Sequence, residues 1–303
     1  MGIIETRGLT KRFKDVLAVD RVDLEIEEGE CFGLLGPNGA GKTSLIRMIT
    51  AVSPVTAGEI WVQGKNLDKC AREAKAIMGV VPQMDNLDPD LTVLQNLLTF
   101  ARYFDIPKRE ARRRSLELLE LFKLEDRLNA RIRELSGGMK RRLLVGRGLI
   151  NQPRILILDE PTIGLDPQAR YLVWHKLAQL NSEGVTRILC THNMEEATVL
   201  CDRVAVMNEG RILSLGAPRR LISEYAGDAV WEIDVRPDAH EAIVQELERR
   251  GLDFEDSGTQ IHVFHADSDE SLREVVSSPD NMRRRPATLE DVFFRLTGRS
   301  LVE

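Results

Sequence analysis

A glycine-rich octapeptide, Gly36-Pro37-Asn38-Gly39-Ala40-Gly41-Lys42-Thr43, holds residue types that can bind a phosphate chain. It fits the pattern GxxxxGK[ST], with the apolar run 31–35 before it and a helical pattern from Lys42 after it. Glycines let backbone N–H groups converge on phosphate oxygens, and a helix starting at the end of the loop adds its positive dipole end. Lys42 supplies a mobile positive charge for β- and γ-phosphates, and Ser44 extends the cradle one residue into the helix. The Thr43 hydroxyl is a hard ligand suited to Mg²⁺, so ATP with magnesium is expected.

Such a site needs a carboxylate at the end of another buried strand. Ile155-Leu156-Ile157-Leu158-Asp159-Glu160 supplies two. Asp159 would reach the magnesium shell, and Glu160, next along, is placed to polarise the attacking water as a general base. These elements alone are shared by kinases, GTPases, helicases and motors. A third stretch, Leu135-Ser136-Gly137-Gly138-Met139-Lys140, narrows the choice. Ser136 with Gly137 and Gly138 opens a helix and makes a second anion-binding N-terminus.

That stretch closely resembles the LSGGQ signature of the ABC ATPase family. The resemblance implies two chains head to tail, each signature helix capping the γ-phosphate held by the other chain's loop. Further matches follow in the family's order. Phe13 resembles the aromatic that stacks on adenine, although a lone aromatic more often belongs to the core. Gln83, in Val80-Val81-Pro82-Gln83, resembles the glutamine that joins the magnesium site to the helical subdomain. Asp166, in Gly164-Leu165-Asp166, resembles the residue crossing the dimer seam, and His192 the switch that contacts the γ-phosphate. Two departures touch the interface and remove no catalytic group. Met139 stands where the signature usually has Gln, and Ile163 occupies a position often small or polar.

The elements that must position these residues alternate in type. Strand-like runs cover 31–35, 59–62, 78–81, 155–158, 187–190 and 203–207, several continuously apolar as in strands buried on both faces. Helical patterns follow Lys42 and cover 93–103, 108–122, 138–151 and 167–181. Strands separated by helices indicate a wound α/β core. The expected fold is α/β, a P-loop NTPase of the ABC ATPase kind, with a helical subdomain inserted at about 88–152. After Gly216-Ala217-Pro218 the character changes: 230–235 and 260–264 read as strands, 240–250 and 271–276 as helices. The expected division is therefore a nucleotide-binding domain over 1–226 and a small α+β domain over 227–303.

Within 303 residues, 43% are hydrophobic and 30% charged, the balance of an ordinary globular chain. Net charge −6 gives no overall positive field, so no nucleic-acid partner is expected. The basic runs 112–114 and 283–285 read as solvated helix faces. The four cysteines show no CxxC pair, which suits a reducing compartment. No apolar run is long enough to span a bilayer and no export leader is evident, so a cytoplasmic chain is expected. Several stretches, among them 85–88, 102–104, 135–143, 194–197 and 289–293, are similar to exporter ATPases of the nodulation-factor type, and to drug and sodium exporters. That resemblance implies a membrane permease as partner, holding the chain on the inner face of the membrane. The acidic stretch 83–94 is the expected contact. A soluble regulatory ABC ATPase is the alternative.

Overall fold

The computed structural model describes residues 2–181, 183–265, 272 and 281–297. It divides into two compact units, Met1–Leu215 and Gly216–Glu303. The first unit opens with a long antiparallel pair, β1 (Ile4–Phe13) and β2 (Val16–Ile26). β3 (Cys31–Leu35) leads through the phosphate loop into α1 (Lys42–Ile49). β4 (Ala57–Val62) and β5 (Lys65–Asn66) join the first two strands in a sheet ordered β2-β1-β4-β5. After α2 (Leu67–Ala76) comes β6 (Met78–Val81).

Three helices follow: α3 (Val93–Arg102), α4 (Lys108–Leu121) and α5 (Gly137–Gly148). Thr92 and Gln95 form a reciprocal capping box at the start of α3, which fixes where the helical insert begins. Among the described residues this stretch has no strand, only an isolated bridge from Thr92 to Arg131. The chain then alternates through β7 (Ile155–Asp159), α6 (Pro167–Gln179), β8 (Thr186–Thr191), α7 (Met194–Leu200) and β9 (Arg203–Asn208). Glu209 and Gly210, both at positive φ, turn β9 into β10 (Arg211–Gly216), as a two-residue hairpin requires.

The second sheet is ordered β10-β9-β3-β8-β7-β6, and β9, β3, β8, β7 and β6 are parallel neighbours. The fully buried side chains of β3, β7 and β8 explain the continuous apolar runs in the sequence. The topology brings the carboxyl ends of β3, β8, β7 and β6 side by side, where open parallel sheets place their ligands. One apolar cluster unites Ile4, Leu9 and Ile60 of the antiparallel sheet with Leu45 and Ile49 of α1 and with Phe32, Ile155 and Ile188. The antiparallel arm 4–26 is absent from the strand reading of the sequence. Charged residues interrupt its alternation, and register shifts after Thr6 and Leu9 break the period of two.

The second unit begins with α8 (Pro218–Tyr225) and continues through β11 (Ala229–Asp234), α9 (His240–Arg249), β12 (Asp253–Asp256) and β13 (Gln260–Phe264). β14 (Met282–Pro286) and α10 (Leu289–Thr297) complete its described part. The sheet order is β12-β13-β11-β14, antiparallel throughout. Trp231, Ile233, Leu247, Ile261 and Val263 form its own small core. The helix expected over 271–276 lies outside the described residues except for Leu272. The basic run 283–285 is on a strand rather than a helix, and Arg285 makes two bonds of 2.7 Å to the Asp291 carboxylate. Among the described residues, no helix is long and apolar enough to cross a membrane.

Candidate nucleotide site

The turn from β3 into α1 can only be built with glycine at two of its corners. A Cβ at Gly36 would lie 2.1 Å from the Met207 carbonyl oxygen, and one at Gly41 2.2 Å from that of Ala18. Gly41 also sits at φ 103°, in the region that favours glycine, and caps α1 without any side-chain bond. The first N–H groups of α1 therefore have no side-chain acceptor of their own at the cap. They border a cavity of about 210 Å³ lined by Ala18, residues 37–44, Gln83, Asp159 and Glu160. That space is smaller than the roughly 300–1,000 Å³ of pockets that enclose a whole drug-sized ligand. It suits the phosphate end of a nucleotide and leaves base and ribose to other surfaces.

Lys42 Nζ donates to the carbonyls of Gly36 at 2.6 Å and Pro37 at 3.0 Å, which holds the ammonium over its own loop. Burial lowers its pKa, while the nearby Glu160 and Asp159 charges oppose that shift. Asp159 closes β7, opposite Cys190 in the neighbouring strand. Burial raises the Asp159 pKa, and the Thr43 hydroxyl, donating to Oδ2 at 3.1 Å, counteracts it. These two oxygens are separated by nearly the ~3.0 Å expected between adjacent ligands of an octahedral Mg²⁺ with bonds of about 2.1 Å. Among the described residues, no group of three His, Cys, Asp or Glu could hold a metal alone. A hydroxyl and a carboxylate oxygen side by side are hard donors, which fit a magnesium ion completed by phosphate and water.

Glu160 adopts φ 51°, unusual for a residue with a Cβ, and its N–H donates to the Cys190 carbonyl at 2.8 Å. Its buried Oε1 lies 2.9 Å from Nδ1 of His192 at the end of β8. Gln83, two residues past β6, lines the cavity together with the groups that follow β3 and β7, while His192, just past β8, meets it through Glu160.

Other expected site residues lie elsewhere on the same unit. Ser136 caps α5 by accepting from the Met139 N–H at 3.3 Å, and neither it, Gly137 nor Gly138 lines the cavity. Asp166 caps α6 by accepting from the Ala169 N–H at 2.8 Å. A Cβ on Gly138 would be 3.5 Å from Leu165, so the turn before Asp166 adjoins the start of α5. Phe13 is 48% exposed at the tip of the β1–β2 hairpin, with Lys11 Nζ 4.7 Å from its ring centroid. That exposure removes the core alternative.

Sequence reasoning missed Ala18 and Arg141. Ala18 gives no chemical signal, since it meets the cavity through β2. Arg141 was hidden among Lys140, Arg141 and Arg142, and because 143–148 are buried without a break, no one-sided stripe marks it as facing inward.

Comparison with known proteins agrees with this geometry. The family described as ABC transporter matches residues 19–163. Nod factor export ATP-binding protein I of Burkholderia thailandensis is 47% identical over 300 residues, 98% of both chains. The protein of that name in Mesorhizobium japonicum is 44% identical, over 99% of this chain and 88% of its own. Among solved structures, the dimeric post-hydrolysis state of the ATP-binding cassette MJ0796, bound to ADP and Pi, superposes with TM-score 0.65 at 28% identity. It covers 71% of this chain and 98% of that one. The cbiO1 subunit of Clostridium perfringens reaches TM-score 0.67 at 28% identity, covering 82% and 95%. With a converged phosphate site and relatives alike along nearly its whole length, the chain belongs to the ABC transporter family as one of its ATP-binding ATPase subunits.

Proposed function

We propose that this ATPase energises export through a separate membrane permease, and that two copies share two Mg·ATP between them. The observation that carries the catalytic part is the Glu160–His192 contact of 2.9 Å beside the phosphate cradle. The backbone of residues 36–44 would bind the phosphates, with Lys42 neutralising their charge. Thr43, Asp159 and Gln83 would hold Mg²⁺, which supplies charge neutralisation between the β- and γ-phosphates. Glu160, buried and oriented by His192, takes a proton from the attacking water. His192 also reports the γ-phosphate. Ser136, Gly137 and Gly138 from the other copy close the site, Asp166 crosses the seam, and Phe13 stacks on adenine.

The relatives' names support an amphiphilic lipo-oligosaccharide of the Nod-factor class as cargo. Two surfaces of the first unit are candidate permease contacts. One is the acidic loop 83–94, where Asp85, Asp88 and Asp90 are concentrated. The other is a groove of about 870 Å³, lined by Val52, Arg72, Lys75, Phe100, Tyr103 and Phe104 rather than by that loop.

Glu160→Gln keeps size and hydrogen bonding but removes basicity. Turnover should fall about 10²–10⁴-fold, nucleotide binding should persist, and an ATP-bound dimer should accumulate on size-exclusion chromatography. Near wild-type turnover in Glu160→Gln would overturn the assignment of the base.

A further inference from the structure

Arg141 lies one turn into α5, past the Ser136 cap, and is almost wholly buried. Its guanidinium reaches five backbone carbonyls. Nε donates to Pro161 at 2.9 Å, Nη1 to Pro82 at 2.6 Å and Gln83 at 3.2 Å, and Nη2 to Asp159 and Glu160 at 2.6 Å each. A guanidinium has five N–H donors in a fixed plane, so every donor is used. All five partners are main chain, in two segments that both enter the nucleotide cavity.

This arrangement has a mechanical consequence. The carbonyls of Asp159, Glu160 and Pro161 converge on one point, so the chain leaving β7 must curl around the guanidinium. That curl contains Glu160 at φ 51°, a strained conformation for a residue with a side chain that persists only where its surroundings hold it. Besides Arg141, this residue's backbone is tied by its N–H, which donates to the Cys190 carbonyl at 2.8 Å, and by its carbonyl, which accepts from the Ile163 N–H at a longer 3.3 Å. An apolar side chain of similar volume would fill the space at lower desolvation cost. It would gather no carbonyls.

We infer that Arg141 is a positioning residue: it holds the Glu160 backbone so that the carboxylate meets water and His192, and it ties the Gln83 segment to the same point. Because Arg141 is on the helix opened by Ser136, a shift of that helix moves the catalytic turn and the Gln83 turn together. Closure of the helix cap on one nucleotide thereby sets the geometry at the other. This rests on the reading of Glu160 as the base and names what holds it in place.

The test uses Arg141→Lys and Arg141→Met in the full chain, with kcat, KM and the dissociation constant of a fluorescent trinitrophenyl ATP analogue measured for each. A lysine offers a point charge with three donors and no planar fork, so it keeps part of the cluster. Misplacing a reacting group by about 1 Å costs on the order of 10²-fold in rate. Arg141→Met is therefore expected to lower kcat about 10²-fold and Arg141→Lys about tenfold, with analogue binding within about twofold of wild type. Adding Glu160→Gln to Arg141→Met should lower kcat no further than Glu160→Gln alone, because the two changes remove one function. Losses that multiply in the double variant, or that appear equally in nucleotide binding, would overturn the inference, as would unchanged kcat. If Arg141→Met does not fold, the kcat-against-binding split in Arg141→Lys decides the matter. Wild-type turnover in Glu160→Gln alone would instead remove the general-base reading.

Discussion

Phe13 offers a test in which affinity, catalysis and stability separate. The phosphate cavity of about 210 Å³ has no room for a whole nucleotide, so the base must find a surface outside it. Phe13 is half exposed on a hairpin whose second strand reaches the cavity through Ala18. One face of the ring is already taken: Lys11 Nζ sits 4.7 Å from the centroid and is anchored by donating to the Pro54 carbonyl at 2.6 Å. A single open face remains. Base–aromatic stacking contributes roughly 1–3 kcal/mol, and one face used in partial solvent belongs in the lower part of that range. A loss of about 1–2 kcal/mol weakens binding by about 5–30-fold. Phe13→Ala should therefore raise the ATP dissociation constant by that factor in titration calorimetry. At saturating ATP its kcat should match wild type, since no catalytic group moves. Its melting temperature should change little, because the exposed ring contributes little burial. Phe13→Trp should restore affinity. A folded Phe13→Ala protein that binds ATP with wild-type affinity would refute the stacking argument.

Three further outcomes are expected. Mixing inactive Lys42→Ala chains with inactive Ser136→Arg chains should recover part of the ATPase activity, because one heterodimer face would pair an intact loop with an intact α5 cap. Absence of recovery in verified heterodimers would exclude a shared site. Burial raises the Glu196 carboxyl above its ordinary value of 4.5, opposed by bonds that include those from Trp174 and Thr162. Above 4.5 the folded chain keeps a proton that the unfolded chain has released, so stability falls as pH rises towards the folded value. Melting curves from pH 4.5 to 8 should show wild type losing ground to Glu196→Gln as pH rises; parallel curves would refute the assignment. In the permease complex, disulfide crosslinks from cysteine at the exposed Tyr103 would place the contact in the apolar groove, and crosslinks from Met84 in the acidic loop. Crosslinks found only from the second unit would exclude both.

What could be read from the sequence was whatever leaves a local signature. The phosphate loop is legible because Gly36 and Gly41 meet backbone oxygens that no side chain could approach. β7 is legible because a strand buried on both faces must be apolar without a break, which makes the following Asp159 and Glu160 conspicuous. The β1–β2 arm is not legible. Its inward residues Ile4, Thr6 and Leu9 lose their alternation where the register shifts, and only pairing with β4 makes the buried face visible. Arg141 escaped for a different reason. Its chemical role depends on five carbonyls brought from two distant segments, and a carbonyl has no letter in a sequence.

The same distinction bears on why two chains are needed. α1 opens on the phosphate cavity with no side-chain cap, whereas α5 opens away from it, its Ser136 bonded to Met139. If both helix ends serve nucleotide, no single chain can bring them to one phosphate. Two identical chains related by a two-fold axis must then satisfy the requirement twice, since any contact from loop to cap in one direction is repeated in the other. In such a pair the departure at Met139 concerns only the surface offered to the partner's nucleotide. Its N–H still bonds Ser136, so the cap geometry does not depend on which side chain stands there. Met139→Gln should therefore change the affinity of the closed dimer while leaving monomer stability as it is. Analytical ultracentrifugation in ATP, on the Glu160→Gln background in which a closed dimer is expected to accumulate, would read that difference. A change in monomer melting temperature with no change in dimer affinity would show that position 139 belongs to the fold instead.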